Sequence, residues 1–321
     1  MRAVVYDQHG GPDVLRIEDV PEPLCHRKGV LIRVEAISIE GGDLLDRSGN
    51  FAPLEARPQV LGRQAAGEIV EVGAEVEGFE IGQRAVAVRP QGSYAALFAA
   101  PIRTTWAIPA GLSTIQAAAV PIAFGTAHEA LFHYARMEPG EVVLVQAGAG
   151  GVGIAAIQIA RRNGAGLILA TGSSDERLAR LKALGLDHAI NYRDTDVAAE
   201  VMRLTGGKGA DIVIDSVGGD TLQGSLMAMA RGGRLVASGQ ASRARVVVDL
   251  ANLYAKGVAL LGLKLDITSQ RVHEAVTQLL EACGQGHYQV VVDRTFPMEQ
   301  AASAHAYIES RKAFGRVVLV P

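Results

Sequence analysis

The sequence predicts an α/β chain in which a doubly wound parallel sheet is inserted into a β-rich domain. Three observations predict it. Short apolar runs punctuated by glycine fill residues 1–122, strands alternate with helical patterns over 123–264, and mixed structure returns over 265–321. Length agrees: one core usually stops growing near roughly 250–300 residues, and this chain has 321.

In the first region, "MRAVVY" and "VLRIEDV" are strand candidates around the turn "GGPD". "GVLIRVEAIS" alternates Val30, Ile32 and Val34 with Leu31, Arg33 and Glu35, as a strand between two environments would. "AAGEIVEVGAEVEGFEIGQRAVAV" holds two more strands, and Gly73, Gly78 and Gly82 break it at turn spacing. This pattern favours a compact barrel or rolled sheet.

In the middle region, "EVVLVQA" leads to a helix over 151–163, "GLILAT" to one near 175–184, "HAIN" to one over 195–204, and "ADIVIDSV" to one near 220–230. "GRLVAS" and "GVALLGL" close the region. Runs such as "VVLV" and "IVI" are apolar on both strand faces, as a sheet covered by helices on both sides requires. If "GVALLGL" is the last strand, its open edge invites pairing with a second copy.

The tail carries an amphipathic helix, "SQRVHEAVTQLLEAC", with Val272, Ala275, Val276, Leu279 and Leu280 on one stripe. A strand, "YQVVVDRTF", follows, then a helix expected to open at Pro297 with Glu299 and Gln300 in its first turn. "GRVVLV" is a final strand. A piece this short makes a poor core alone, so the tail is expected to complete the first domain.

Composition narrows function. Lys plus Arg total 31, Asp plus Glu 34, and the net charge is −3, with no basic stripe to meet a nucleic-acid backbone. No apolar stretch reaches the roughly 20 residues of a membrane span. Cys25 and Cys283 are too few for a disulfide framework or a zinc ribbon, which fits a cytoplasmic protein. A small-molecule partner is expected.

The central motif is "VVLVQAGAGGVGIAAIQIARRNGAG", residues 142–166. Gly148, Gly150 and Gly153 have dinucleotide-binding spacing, between an apolar strand and a helix with Val152, Ala155, Ala156 and Ile159 on one face. Gly148 is expected to take the turn dihedrals, Gly150 to let a pyrophosphate approach, and Gly153 to let the helix lie close. The stretch Gly148, Ala149, Gly150, Gly151, Val152 and Gly153 then presents backbone N–H groups to two phosphates. The alternative is a tight turn without ligand. No "GK[ST]" follows, which argues against phosphoryl transfer.

The residue after the second strand selects the dinucleotide. An acid there would bond the ribose 2′-hydroxyl, but Gly172, Ser173 and Ser174 occupy the place. Two serine hydroxyls and the Arg177 fork suit a 2′-phosphate, so NADPH is expected over NADH. The alternative is that Ser173 caps a helix and Arg177 is a surface charge. The eight histidines and two cysteines form no ligand-spaced set, so no metal is expected.

The chain resembles the medium-chain dehydrogenase/reductase superfamily, and within it the zinc-free quinone oxidoreductases related to zeta-crystallin. The resemblance rests on "GPDVLRIEDVPEP", "GDLLDRSGNF", "VLGRQAAGEIVEVGAEVEGFEIGQRAVA", "IAFGTAHEAL", "VLVQAGAGGVGIAAIQIAR", "HAINYRD", "DIVIDSVGG" and "AHAYIESRKAFGRVVLVP" in that order. It implies a GroES-like barrel of residues 1–122 completed by 265–321, a Rossmann nucleotide-binding domain of 123–264, and a homodimer or homotetramer. Where the zinc branches place a Cys and a His–Glu pair, this chain has Gly41 and Gly42, then Arg63 and Gln64.

The resemblance also implies roles. Tyr192, Arg311 and Arg177 would meet the adenosine phosphate. Thr126 would lie at the nicotinamide, Val217 and Gly218 at its ribose, Ser238 and Gly239 beside it, and Leu263 and Lys264 at the carboxamide. The family's Asn-x-x-Asp reads Glu40 and Asp43 here, and a buried carboxylate at 40 would need a partner or a proton. Leu45 and Phe51 stand where tyrosines often line the acceptor pocket. Glu40, Asp43 and Thr126 are the expected catalytic positions. The implied reaction is metal-free reduction of a quinone or an α,β-unsaturated carbonyl by NADPH. The alternatives are a zinc-free alcohol or ketone reductase and a non-catalytic NADPH-binding protein.

Overall fold

The computed structural model describes residues 1–51, 53–55 and 57–321. It divides into two units, Met1–Ile122 with Asp266–Pro321, and Ala123–Leu265. In chain order, the first unit begins with β1 (Arg2–Tyr6), β2 (Arg16–Asp19), β3 (Gly29–Ser38), α1 (Gly41–Arg47), β4 (Gln59–Val60), β5 (Gln64–Val72), β6 (Arg84–Val88), β7 (Leu97–Pro101), β8 (Thr105–Ala107) and α2 (Thr114–Ala117). The second unit takes most of α3 (Pro121–His128), then β9 (Val142–Val145), α4 (Gly151–Arg162), β10 (Leu167–Gly172), α5 (Asp175–Arg180), β11 (His188–Asn191), α6 (Val197–Leu204), β12 (Ala210–Asp215), α7 (Asp220–Ala228), β13 (Met229–Ala237), α8 (Leu250–Lys256) and β14 (Ala259–Gly262). The chain returns to the first unit with α9 (Gln270–Gly284), β15 (Val292–Pro297), α10 (Ala301–Glu309) and β16 (Arg316–Val320).

The first unit is built on β3. Val30, Ile32 and Val34 are buried while Arg33 and Glu35 are exposed, so the strand's alternation sets which face meets the core. β3 pairs antiparallel with β5, β7 and β16, and the sheet runs β15-β16-β3-β5-β6-β8. A smaller sheet runs β2-β1-β4. The core joins both ends of the chain: Val4, Ile32 and Ile69 share one apolar cluster with Met298, Ala304 and Leu319. Burying each aliphatic side chain contributes about 1.5–3 kcal/mol. The helix expected at Pro297 starts later, because Pro297 ends β15 and a short 3₁₀ turn, Met298–Gln300, precedes α10.

The second unit has six parallel strands in the order β11-β10-β9-β12-β13-β14. All four residues of β9 are buried, as its unbroken apolar run requires. The chain lays β10 and β11 on one side of β9, then crosses back to place β12 on the other. Ligands of such sheets bind beyond the carboxyl ends of the strands, where the order reverses. β14 is an edge strand, with Leu260 38% exposed.

Candidate functional site

Because the six strands are parallel, the segments that follow them emerge at one edge of the sheet. That edge receives the glycine turn after β9, Ser173 and Ser174 after β10, Tyr192 after β11, and Val217 and Gly218 after β12. Ser238 and Gly239 follow β13, and Leu263 and Lys264 follow β14. Residues spread over more than a hundred positions thus line one rim.

The glycine turn is held from behind by buried side chains. Thr171 donates to Gln146 Oε1 at 2.5 Å, Gln146 Nε2 donates to Ser225 Oγ at 2.9 Å, and the Gly148 amide donates to the Thr171 carbonyl at 2.9 Å. This polar chain ties β9, β10 and α7 together behind the turn. The left-handed residue is Ala147, at φ 53°, rather than Gly148. For a non-glycine residue that conformation costs about 1–2 kcal/mol. Gly148 is needed for space, since a Cβ there would stand 2.6 Å from that of Ala170. At Gly153 a Cβ would lie 2.5 Å from the Ala147 carbonyl oxygen and 2.7 Å from that of Gly148, so this glycine lets α4 seat directly on the turn.

α4 starts without a side-chain cap: Gly150 is its N-cap, and the first amide bonded within the helix is that of Ile154, to Gly150. The amides of Gly151, Val152 and Gly153 therefore have no intrahelical carbonyl to reach, and the positive end of the helix dipole adds to them. The residues fit a pyrophosphate on this ground. The neighbouring strand end fits a further phosphate. Ser174, not Ser173, caps α5 by accepting from the Arg177 amide at 3.4 Å, which leaves its own hydroxyl proton for another acceptor. Arg177 Nη2 donates to Ser173 Oγ at 3.1 Å. Asp175, the nearest acid, receives Asn191 Nδ2 at 3.1 Å. Tyr192 is 41% exposed, and its amide donates to the Gly172 carbonyl, which brings it beside Ser173.

The turn after β12 owes its shape to Asp215, which sequence reasoning missed. Its buried carboxylate accepts from the amides of Val217 (2.8 Å) and Gly218 (2.9 Å) and from Thr221 Oγ1 (3.2 Å). The "D-S-V-G-G" pattern after an apolar strand is the signal for such an Asx turn. Ser238 and Leu263 are fixed by backbone bonds to the neighbouring strand ends, Asp215 and Ala237. Thr126 lies buried on α3 in the same unit.

Glu40, Asp43 and Arg311 belong to the first unit. Arg311 is exposed, in a left-handed turn after α10 at φ 58°. Glu40 and Asp43 form a capping box at the start of α1, with the Glu40 amide donating to Asp43 Oδ2 at 2.8 Å. Glu40 is buried and has partners: Arg316 pairs with it, and Ser38 Oγ donates to it at 3.0 Å. Asp43 has no exposure. Burial pushes its carboxyl up to about 7, against the opposing pull of Arg63 at 3.6 Å and the Glu40 amide. Tyr94 Oη lies 3.2 Å from Asp43 Oδ2 and 3.1 Å from His305 Nε2. Arg63 pairs with Asp46, lies over the Phe51 ring at 4.9 Å, and fills the space a side chain at Gly42 would need. Among the described residues, no three His, Cys, Asp or Glu side chains converge to hold a metal ion.

Comparison with known proteins agrees with this architecture. Residues 26–110 match the alcohol dehydrogenase GroES-like domain, and residues 184–319 match the family described as zinc-binding dehydrogenase. The chain is 33% identical to a quinone oxidoreductase of Pseudomonas aeruginosa, covering 100% of this chain and 99% of that protein. It is 34% identical to a 2-haloacrylate reductase of a Burkholderia species, over 99% and 98% of the two chains. A polyketide synthase subunit of Mycobacterium tuberculosis is 31% identical over 98% of this chain, which spans 14% of that much longer protein. The crystal structure of Escherichia coli quinone oxidoreductase complexed with NADPH superposes with a TM-score of 0.93 at 29% identity, covering all of both chains. On its fold, its donor set and these relatives, the chain belongs to the medium-chain dehydrogenase/reductase superfamily, in the zinc-independent quinone oxidoreductase branch.

Proposed function

We propose that the protein is an NADPH-dependent oxidoreductase that reduces a quinone or an α,β-unsaturated carbonyl compound without a metal. The observation that carries this reading is the uncapped first turn of α4, with three amides aimed out of a turn too tight for any side chain at Gly153. When bound, NADPH supplies a hydride from its nicotinamide ring. The protein's part is to bind, orient and exclude water.

Gly148, Ala149, Gly150, Gly151, Val152 and Gly153 hold the pyrophosphate. Ser173, Ser174, Arg177 and Tyr192 select the 2′-phosphate. Thr126, Val217, Gly218, Ser238, Gly239, Leu263 and Lys264 orient the nicotinamide end. Glu40 and Asp43 act as positioning carboxylates: one is bonded to Arg316 and the other has no exposed surface, so each sets the shape of α1 instead of meeting the acceptor. A cytoplasmic location and a homodimer or homotetramer assembled along the β14 edge complete the reading.

The test is fluorescence titration with NADPH and NADH, followed by NADPH oxidation with a panel of quinones, enones and simple ketones. Tighter binding of NADPH and turnover on quinones or enones are expected. Equal affinity for NADH overturns the 2′-phosphate assignment, and tight binding without turnover on any acceptor overturns the enzyme.

A further inference from the structure

The first unit buries a connected set of titratable groups that cofactor binding does not use. Asp43 on α1, Tyr94 in the segment before β7, and His305 on α10 are all without exposed surface. The Tyr94 hydroxyl stands between the other two, 3.2 Å from Asp43 Oδ2 and 3.1 Å from His305 Nε2. A hydroxyl has one proton, so it cannot donate to both. The outer nitrogen, His305 Nδ1, is buried without a hydrogen-bond partner.

The charges around this chain give it a direction. Arg47, itself buried, bonds Glu309, one helical turn after His305 on the same face of α10, and its charge acts on the imidazole. The Arg47 charge therefore favours a bare Nδ1 over a protonated one while Asp43 is ionised. Burial and Arg47 together push the His305 imidazolium down to about 3, so the ring is neutral at working pH. The other groups are Glu40 with its partner Arg316 from β16, Asp46 on α1, Arg63 before β5, and Tyr6 on β1 beside Asp46. Among them Arg63 favours an ionised Asp43, while Glu40 and Asp46 oppose it.

Two states follow. With Asp43 ionised, His305 Nε2–H donates to Tyr94, Tyr94 donates to Asp43, and Nδ1 stays bare toward Arg47. With Asp43 protonated, every bond reverses. The Tyr94 proton passes to Asp43, and the Nε2 proton passes to the Tyr94 oxygen. Asp43 then donates to Tyr94 and Tyr94 to Nε2, while the incoming proton comes to rest on Nδ1. One proton enters from solvent, and the imidazole changes tautomer without gaining charge.

We infer that Asp43, Tyr94 and His305 act as one proton-sharing relay, in which Tyr94 and His305 are positioning residues that report the protonation of Asp43 across the unit to Arg47. Because Asp43 Oδ2 also holds the Glu40 amide at 2.8 Å, the relay acts on the turn that opens α1. This inference stands apart from nicotinamide binding, and its test needs no cofactor.

The experiment is nitrogen NMR of the full chain with ¹⁵N-labelled histidine, which reads the protonation of each ring nitrogen. The His305 signals are identified by their loss in His305→Gln. At about pH 9 Nδ1 should be bare, and it should gain its proton on titration to about pH 5 while the ring stays neutral. The midpoint should fall near the carboxyl of Asp43, about 7. Asp43→Asn, whose carbonyl oxygen must keep accepting from the Glu40 amide and so also accepts from Tyr94, should hold the high-pH tautomer throughout. Tyr94→Phe, which keeps the ring packing and serves if the Asn variant does not fold, should abolish the step. One tautomer at every pH, a doubly protonated ring, or a step that survives in Tyr94→Phe overturns the relay.

Discussion

The turn after β9 and the cluster around α1 solve opposite problems. The turn is made almost wholly of backbone: it gains from side chains it lacks, and the first amides of α4 have no intrahelical carbonyl to reach. The cluster is made of side chains that carry charge into the core, where Glu40 pairs with Arg316, Asp46 with Arg63 and Arg47 with Glu309. The first kind of site tolerates no added atom, whereas the second tolerates no removed partner. That difference decides how each should fail.

The largest effect is expected where a buried charge loses its partner. Arg316→Ala leaves Glu40 buried without its cation, and breaking a buried pair costs about 3–5 kcal/mol. Urea unfolding reads the loss directly, and a change under about 1 kcal/mol would place Glu40 among weakly coupled surface pairs. At the turn the corresponding change is an addition. Gly153→Val drives a side chain against the Ala147 and Gly148 carbonyls. Overpacking typically costs about 1–3 kcal/mol, so NADPH affinity should fall about 10- to 100-fold with circular dichroism unchanged. Undiminished affinity would break the contrast.

Acid and base sharpen the comparison further. Asp43 keeps its proton to about pH 7 in the folded state, whereas an unfolded aspartate releases it near about 3.9. Between those values the folded chain binds more protons, so this group's contribution is greatest below about pH 4, is lost as pH rises to about 7, and is level above. His305 works in the opposite sense. Its imidazolium is pushed down to about 3, so its contribution is present above about 6.5 and is lost as pH falls. The difference in melting temperature between the wild-type protein and Asp43→Asn, followed from about pH 4 to about pH 7, isolates the first slope. A constant difference would mean that Asp43 is ionised throughout. The smallest effect belongs to the phosphate end: Arg177→Ala should weaken NADPH binding about 10-fold and leave NADH unchanged, since a charge-assisted bond to a phosphate is worth about 1–2 kcal/mol.

The same two regions mark what could be read before the structure was known. The β9–α4 unit was legible because strand, glycines and apolar helix face lie within one short stretch, and the following strand–helix pairs repeat the pattern. Even there the left-handed position fell on Ala147, since glycine spacing shows where bulk is excluded but not which residue turns. The α1 cluster was not legible. Tyr94 is 51 residues from Asp43, His305 is 211 from Tyr94, and Arg316 is 276 from Glu40. No periodicity joins such pairs. The sequence could say that a buried Glu40 needs a partner, but only the pairing of β16 with β3 supplies it. Gln146 and Asp215 were passed over for a related reason, because polar residues ending apolar strands look like turn residues until their partners are seen.

The insertion of one unit within the other has a consequence for how the chain is made. β3 depends on β16, and Arg316 reaches Ser38 across 278 residues. On the ribosome the first 122 residues emerge long before that partner exists, while Ala123–Leu265 leaves the tunnel with all six of its strands in hand. The inserted unit can therefore complete its sheet during translation. The surrounding one must wait for the final strand, which until then leaves the Ile37–Ser38 end of β3, beyond the stretch that β7 covers, in need of chaperone cover.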